Sequence, residues 1–220
     1  MGDYNKFAEK YAEQTSAMEK ETRDNFYSLL PTLKGKRILD VGCGSGHDAE
    51  HYFSCGAEVV GIDISRKEIE MAKAKKCGIF SVGDMKSLPY ESDSFNVTTS
   101  VYALQTSDDV EKSLLEMIRV SKPDAPIVVA TKHPFRNCLE GYVNDGHSDY
   151  NNRGNVTSYI FNKTIKLNEP GHTMANYLPA SVLMRVNLEK IEEHNDFPAS
   201  DQVIPGLRYP TYMILKFRKK

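Results

Sequence analysis

The hydrophobic positions fall into two regimes. Over residues 4–30, apolar side chains recur at helical spacing: Tyr4, Phe7, Ala8 and Tyr11, then Phe26, Leu29 and Leu30. This pattern predicts an N-terminal helical cap over residues 1–34, closed by Pro31 and Gly35. From residue 37 the pattern changes to short runs, nearly continuous in Ile, Val and Leu, at 37–41, 58–63, 79–82, 95–101 and 126–132. Helix-like stretches near 46–55, 65–76 and 108–120 separate them. Unbroken apolar runs are expected of strands whose sheet is covered by helices on both faces. Strand and helix in alternation imply right-handed crossover units and a mostly parallel sheet. The expected fold class is therefore α/β.

The alternation stops at His133-Pro134. Residues 134–172 are rich in Asn, Asp, Gly, Tyr and His, with one strand-like alternation over 156–167. A polar connection of that length is uncommon inside a compact domain and usually serves as a lid or stays disordered. It reads as a substrate-side insertion after the fifth strand, with little core of its own. A helix is predicted from Thr173 to about Asn187, followed by strands over 188–194 and 212–217 that finish the sheet in antiparallel fashion. The closing basic run, Lys216 to Lys220, reads as a frayed end. The expectation is one domain over 1–220.

Composition narrows the choice of function. Forty per cent of the 220 residues are hydrophobic, enough for a core without disulfides or metal. Twenty-eight basic against thirty acidic residues give a formal charge of -2, which argues against a nucleic-acid binder. No apolar run approaches the roughly 18–20 residues of a membrane span. The first twenty residues are polar and show no signal-peptide core, so the expected location is the cytoplasm. Cys43, Cys55, Cys77 and Cys138 have neither Cys-x-x-Cys pairing nor zinc spacing, and no metal site is expected.

The most informative segment is Ile38-Leu39-Asp40-Val41-Gly42-Cys43-Gly44-Ser45-Gly46, an apolar strand that runs into a three-glycine loop and then a helix. Glycines allow a tight turn and a close approach of ligand to backbone. Asp40 discriminates among nucleotide sites. A carboxylate there would repel a pyrophosphate but suits a ligand with a positively charged amino end. Asp63 and Asp84 follow at the ends of the next two strands. An acid at the second strand end can accept hydrogen bonds from two ribose hydroxyls. Asp84 can receive an exocyclic amine, and Met85 can pack on the ring.

These motifs, in this order, resemble class I S-adenosylmethionine-dependent methyltransferases of the small ubiquinone/menaquinone type. Asp40 to Gly46 resembles that family's first motif, Asp63 its ribose acid, and Gly83-Asp84-Met85 its adenine-side motif. Ser100-Val101-Tyr102-Ala103-Leu104-Gln105 resembles the end of its fourth strand. Val120-Ser121-Lys122-Pro123 resembles the lead-in to its fifth. Asn96 and Pro123-Asp124-Ala125 depart from the family's usual Asp and Pro-Gly-Gly. The resemblance implies a Rossmann-like, seven-stranded sheet, S-adenosyl-L-methionine as cofactor and S-adenosyl-L-homocysteine as product. It also implies transfer of methyl to an O, N or C atom of a small-molecule acceptor, by a monomer or homodimer. Cofactor contacts are expected from Tyr11, Asp40, Gly42, Cys43, Gly44, Gly46, Asp63, Ile64, Gly83, Asp84, Met85, Ser100, Val101 and Gln105. The acceptor pocket is expected to draw on Tyr4, Tyr102, His133, Tyr142 and His172.

Each has a plainer reading: strand-end acids favour loops, Tyr11 packs a helix, and Cys43 fills a tight turn. His47 reads as a surface helix residue. His133, at the end of the fifth strand, is the candidate general base; its plain reading is that it shapes the entry to the insertion. Two rival functions stand beside methyl transfer. An NAD(P)-dependent oxidoreductase fits the register from Gly44 to Ala49, although Asp40 counts against it. A non-catalytic, cofactor-binding accessory protein is the other.

Overall fold

The computed structural model describes residues 20–147, 149–151, 154–160, 163, 165–195 and 203–220. Helix α1 (Lys20–Ser28) leads into strand β1 (Arg37–Val41), helix α2 (His47–Ser54), strand β2 (Glu58–Asp63), helix α3 (Arg66–Ala74) and strand β3 (Ile79–Val82). Strand β4 (Val97–Val101), helix α4 (Val110–Val120) and strand β5 (Pro126–Lys132) follow. Beyond them come α5 (Pro134–Asp145), the hairpin β6 (Asn155–Ile160) and β7 (Ile165–Pro170), and the short helices α6 (Met174–Tyr177) and α7 (Ala180–Leu183). Strands β8 (Val186–His194) and β9 (Tyr212–Lys219) end the chain. Seven strands pair in the order β3-β2-β1-β4-β5-β9-β8. The first five are parallel and β9 is antiparallel to both its neighbours. No helix among the described residues is long and apolar enough to cross a membrane.

Alternation along the buried strands builds two cores. Leu39, Val41, Ile127, Val129, Leu215 and Phe217 turn to the face covered by α4. Ile38, Val128, Ala130 and Ile214 turn to the face covered by α1, α2 and α3. The strand expectations at 37–41, 58–63, 79–82 and 126–132 match the structure to the residue. The fourth strand begins later than expected, at Val97; Phe95 only bridges to Ser121. Asn96 closes this corner, exchanging hydrogen bonds with the backbone of Arg37. Asp124 turns the chain before β5 in the left-handed conformation, at φ 60°.

Three expectations fail. The single helix over 173–187 is two short helices, because Pro179 caps α7 and cannot continue α6. The basic C-terminus is a strand, not a frayed end: Lys219 Nζ donates to the carbonyl of Ser121 and pairs with Asp93. The insertion is not a polar loop without a core. Helix α5 packs on the hairpin, and a buried ionic cluster joins both to the end of β5. In that cluster Lys132 Nζ lies 3.0 Å from Glu140 and 2.6 Å from Glu169, and Arg136 lies 2.9 Å from Glu140. Lys132 also donates to Ser158 Oγ, which itself donates to Glu140. Burial opposes the Lys132 charge, but Glu140 and Glu169 outweigh it and hold the ammonium above its ordinary range. Burial likewise opposes the Glu140 carboxylate; Lys132 and Arg136 win, and it stays ionised.

Candidate active site

The carboxyl ends of β1, β2, β3 and β4 share one edge of the sheet, and a cleft of about 230 Å³ opens there. Its floor is the glycine loop. Gly42 has φ 73°, and a Cβ there would sit 2.1 Å from the Ala103 Cβ, so the loop closes only on glycine. Gly46, at φ 78°, starts α2 as its N-cap. Asp63 clamps the loop from the end of β2: its Oδ2 accepts the Gly44 N–H at 3.0 Å and its Oδ1 the Ser65 N–H at 2.8 Å. The Asp63 carboxylate also lines the cleft.

Beyond Asp63, Ile64, Gly83, Asp84 and Met85 line the same side. A Cβ at Gly83 would come 2.5 Å from Ile62 Cδ1, so the chain after β3 lies flat on β2. Asp84 Oδ1 accepts the Lys86 N–H, and the Lys86 ammonium reaches Asp108 at 2.6 Å. Val101 and Tyr102 line the cleft from the end of β4. Tyr102 takes the unusual φ of 50°, held by its N–H on the Ala130 carbonyl and its hydroxyl against Thr22 on α1.

Asp40 lies beneath the loop rather than in the cleft. It is 1% exposed; Thr99 donates to its Oδ1 at 3.3 Å, and its Oδ2 has no partner among the described residues. Burial, and then the charge of Asp48, push its carboxyl well above the usual range. Burial also raises the Cys43 thiol, followed by Asp40 and Asp63, so Cys43 lines the cleft as an inert side chain.

Several cleft residues escape a reading of the sequence. Arg23 of α1 pairs with Asp48 of α2 at 2.8 Å, both line the cleft, and Tyr27 donates to the same carboxylate. His47 lines the cleft rather than the protein surface, and burial lowers its pKa. Glu68 lines it too; burial, then repulsion from Asp63, pushes its carboxyl up to about 7. The signal for Glu68 was available, since Ser65-x-x-Glu68 is a capping pattern directly after Asp63, and Ser65 does cap α3. Lys132, a lone cation ending an apolar strand, was the signal for a buried counter-charge.

Other expected residues lie apart from the cleft. His133 is the N-cap of α5: its Nδ1 accepts the Phe135 N–H at 3.0 Å, and its Nε2 meets Glu193 at 2.7 Å. Both ring nitrogens are thus engaged, and His133 is not among the residues that line the cleft. His172 packs on Tyr177 with its Nε2 on the Gln105 carbonyl, and Tyr142 is 60% exposed on α5. Gln105 is a buried brace, donating to the Tyr102 carbonyl and accepting from Thr131. Ser100 is fully buried in β4. Tyr4 and Tyr11 lie outside the described residues.

A glycine loop after β1, an acid ending β2 and an antiparallel β9 between β5 and β8 define a Rossmann-like fold of the methyltransferase type. Over 93% of this chain and 99% of its own, an S-adenosylmethionine dependent methyltransferase from Mesorhizobium loti superposes with a TM-score of 0.69 at 20% identity. Residues 39–129 match the family model described as methyltransferase domain. Demethylmenaquinone methyltransferase of Renibacterium salmoninarum is 33% identical over 59% of this chain and 58% of its own length. Norajmaline N-methyltransferase of Rauvolfia serpentina is 38% identical over 45% of this chain and 37% of its own. The chain thus spans well under two thirds of the curated relatives it matches.

Proposed function

We propose that this protein transfers a methyl group from S-adenosylmethionine to an O, N or C atom of a small molecule held between the β4 end and the hairpin. The observation that carries the reading is the Asp63 carboxylate: it locks the glycine loop through Gly44 and still faces the cleft. Asp63 would accept the two ribose hydroxyls, while Ile64, Asp84 and Met85 would hold the adenine. Gly42, Cys43 and Gly44 would lie against the methionine part of the cofactor.

The donor set fits this cofactor. Six carboxylates line the cleft (Asp48, Asp63, Glu68, Asp84, Asp108 and Glu169) against the two cations Arg23 and Lys86. Such an excess of acids favours a ligand bearing sulfonium and ammonium charges over a dinucleotide. When bound, the sulfonium supplies an already activated methyl group. The task left to the protein is orientation in a dry site. Tyr102 and the segment Thr106–Asp108 set one wall for the acceptor, and the hairpin sets the other. The buried Lys132 cluster holds that second wall in place. A proton acceptor matters only where the acceptor atom is a hydroxyl or a protonated amine.

Calorimetry and thermal shift test this reading. S-adenosylhomocysteine should raise the melting temperature, since a hundredfold excess over the dissociation constant stabilises by about 2.7 kcal/mol. A shift with NADH and none with S-adenosylhomocysteine would refute it.

A further inference from the structure

The two sides of the cleft differ in what they offer. On the β2–β3 side, Ile62, Ile64, Gly83 and Met85 give apolar contact surface. On the other side stand Thr106, Ser107 and Asp108 after β4 and Asn155, Asn168 and Glu169 from the hairpin. All six carry hydrogen-bonding groups. The charges among them are already matched: Lys86 holds Asp108 at 2.6 Å, and Lys132 holds Glu169 at 2.6 Å. The hydroxyls are engaged as well, Thr106 on the Ala103 carbonyl and Ser107 with Ser113.

The two asparagines are different. The hairpin register sets Asn155 opposite Pro170 and Asn168 opposite Thr157, so all four share one face. The alternate face, with Val156, Leu167 and Glu169, is buried. Both asparagines are exposed, and neither side-chain amide has a hydrogen-bond partner among the described residues. Each offers two donors and one acceptor toward whatever occupies the cleft.

We propose that the acceptor is a small, uncharged molecule bearing several hydrogen-bonding groups, and that Asn155 and Asn168 determine its selection. An ionised acceptor would lose its water beside carboxylates and cations that already have partners. An apolar acceptor would strip water from two amides and return no hydrogen bond. The inference rests on the methyltransferase reading above.

Four probes separate the possibilities: succinamide, succinate and 1,4-diaminobutane share a four-carbon chain and differ in charge, and 2-methyl-1,4-naphthoquinone is apolar. Each is titrated by amide NMR shifts into the full chain saturated with S-adenosylhomocysteine. Succinamide should bind most tightly, with shifts over 104–108 and 155–170. The double variant Asn155→Leu/Asn168→Leu, both at exposed positions, should weaken it at least about tenfold, the loss of one to two hydrogen bonds, while leaving S-adenosylhomocysteine affinity unchanged. Equal or tighter binding of any other probe, no response to succinamide, or an unaffected double variant would overturn this inference alone. Failure of S-adenosylhomocysteine to bind the wild-type chain would instead remove the reading beneath it.

Discussion

The glycine loop and the insertion flank the same cleft but are held in place by different means. The loop is fixed by local, backbone-directed devices. Gly42 turns where no side chain fits, and Asp63 binds two backbone N–H groups within reach of its own strand end. The insertion is fixed by side chains from three elements: Lys132 on β5, Glu140 on α5 and, far along the chain, Glu169 on β7. A site built on the backbone presents the same shape regardless of most side chains around it. A wall hung on a buried ion cluster stands or falls with each member of that cluster. If the cleft holds cofactor and acceptor as proposed, the backbone-built side would take the former and the ion-clamped side the latter.

The most severe break should come at Lys132. Lys132→Met leaves Glu140 and Glu169 buried with one counter-charge fewer, at a cost of about 3–5 kcal/mol. For a chain of this size that lowers the melting temperature by on the order of 10 °C. Adding Glu169→Gln to the same chain should restore part of the loss. Hydrogen exchange should rise over 155–170 while the glycine loop keeps its protection. Equal loosening of both regions would erase the contrast.

Glu68 sharpens the picture from the loop side. Its carboxyl is raised from 4.5 to about 7, so between those values the folded chain holds a proton that the unfolded chain has released. Stability should therefore fall as pH rises from about 4.5 to 7, by on the order of 2–3 kcal/mol, and level off above. Glu68→Gln should flatten this part of the profile in denaturant melts. An unchanged slope would mean that Glu68 is hydrated in solution.

A smaller effect is expected at Asp63. Asp63→Ala removes the acceptor proposed for the ribose and frees the Gly44 N–H, for a loss of about 1.5–3 kcal/mol in cofactor affinity, tenfold or more. Calorimetry with S-adenosylhomocysteine reads this directly, and the Lys132 variants should leave the same number nearly unmoved. At the low end stands His133→Ala, which removes an N-cap and should cost about 0.5–2 kcal/mol of stability. If His133 is only a cap, His133→Asn should retain most of that stability and bind cofactor normally.

The sequence alone determined the central sheet. Runs such as Glu58–Asp63 are apolar, short and bounded by turn residues, so their limits follow from local pattern. It also marked the glycine loop with Asp63 and Asp84, which line one side of the cleft, because glycines and acids at strand ends act on the backbone next to them. Tertiary structure decided the rest. Whether Arg23 meets Asp48, or Lys132 meets Glu169, depends on packing between segments that are distant in sequence, and no local spacing encodes it. The same holds for His133, which pattern placed at the right strand end. Only the position of Glu193 on β8, together with the start of α5, decided which partners its ring meets. Backbone geometry is written in neighbours, whereas a buried charge takes its meaning from the partner that the fold brings to it.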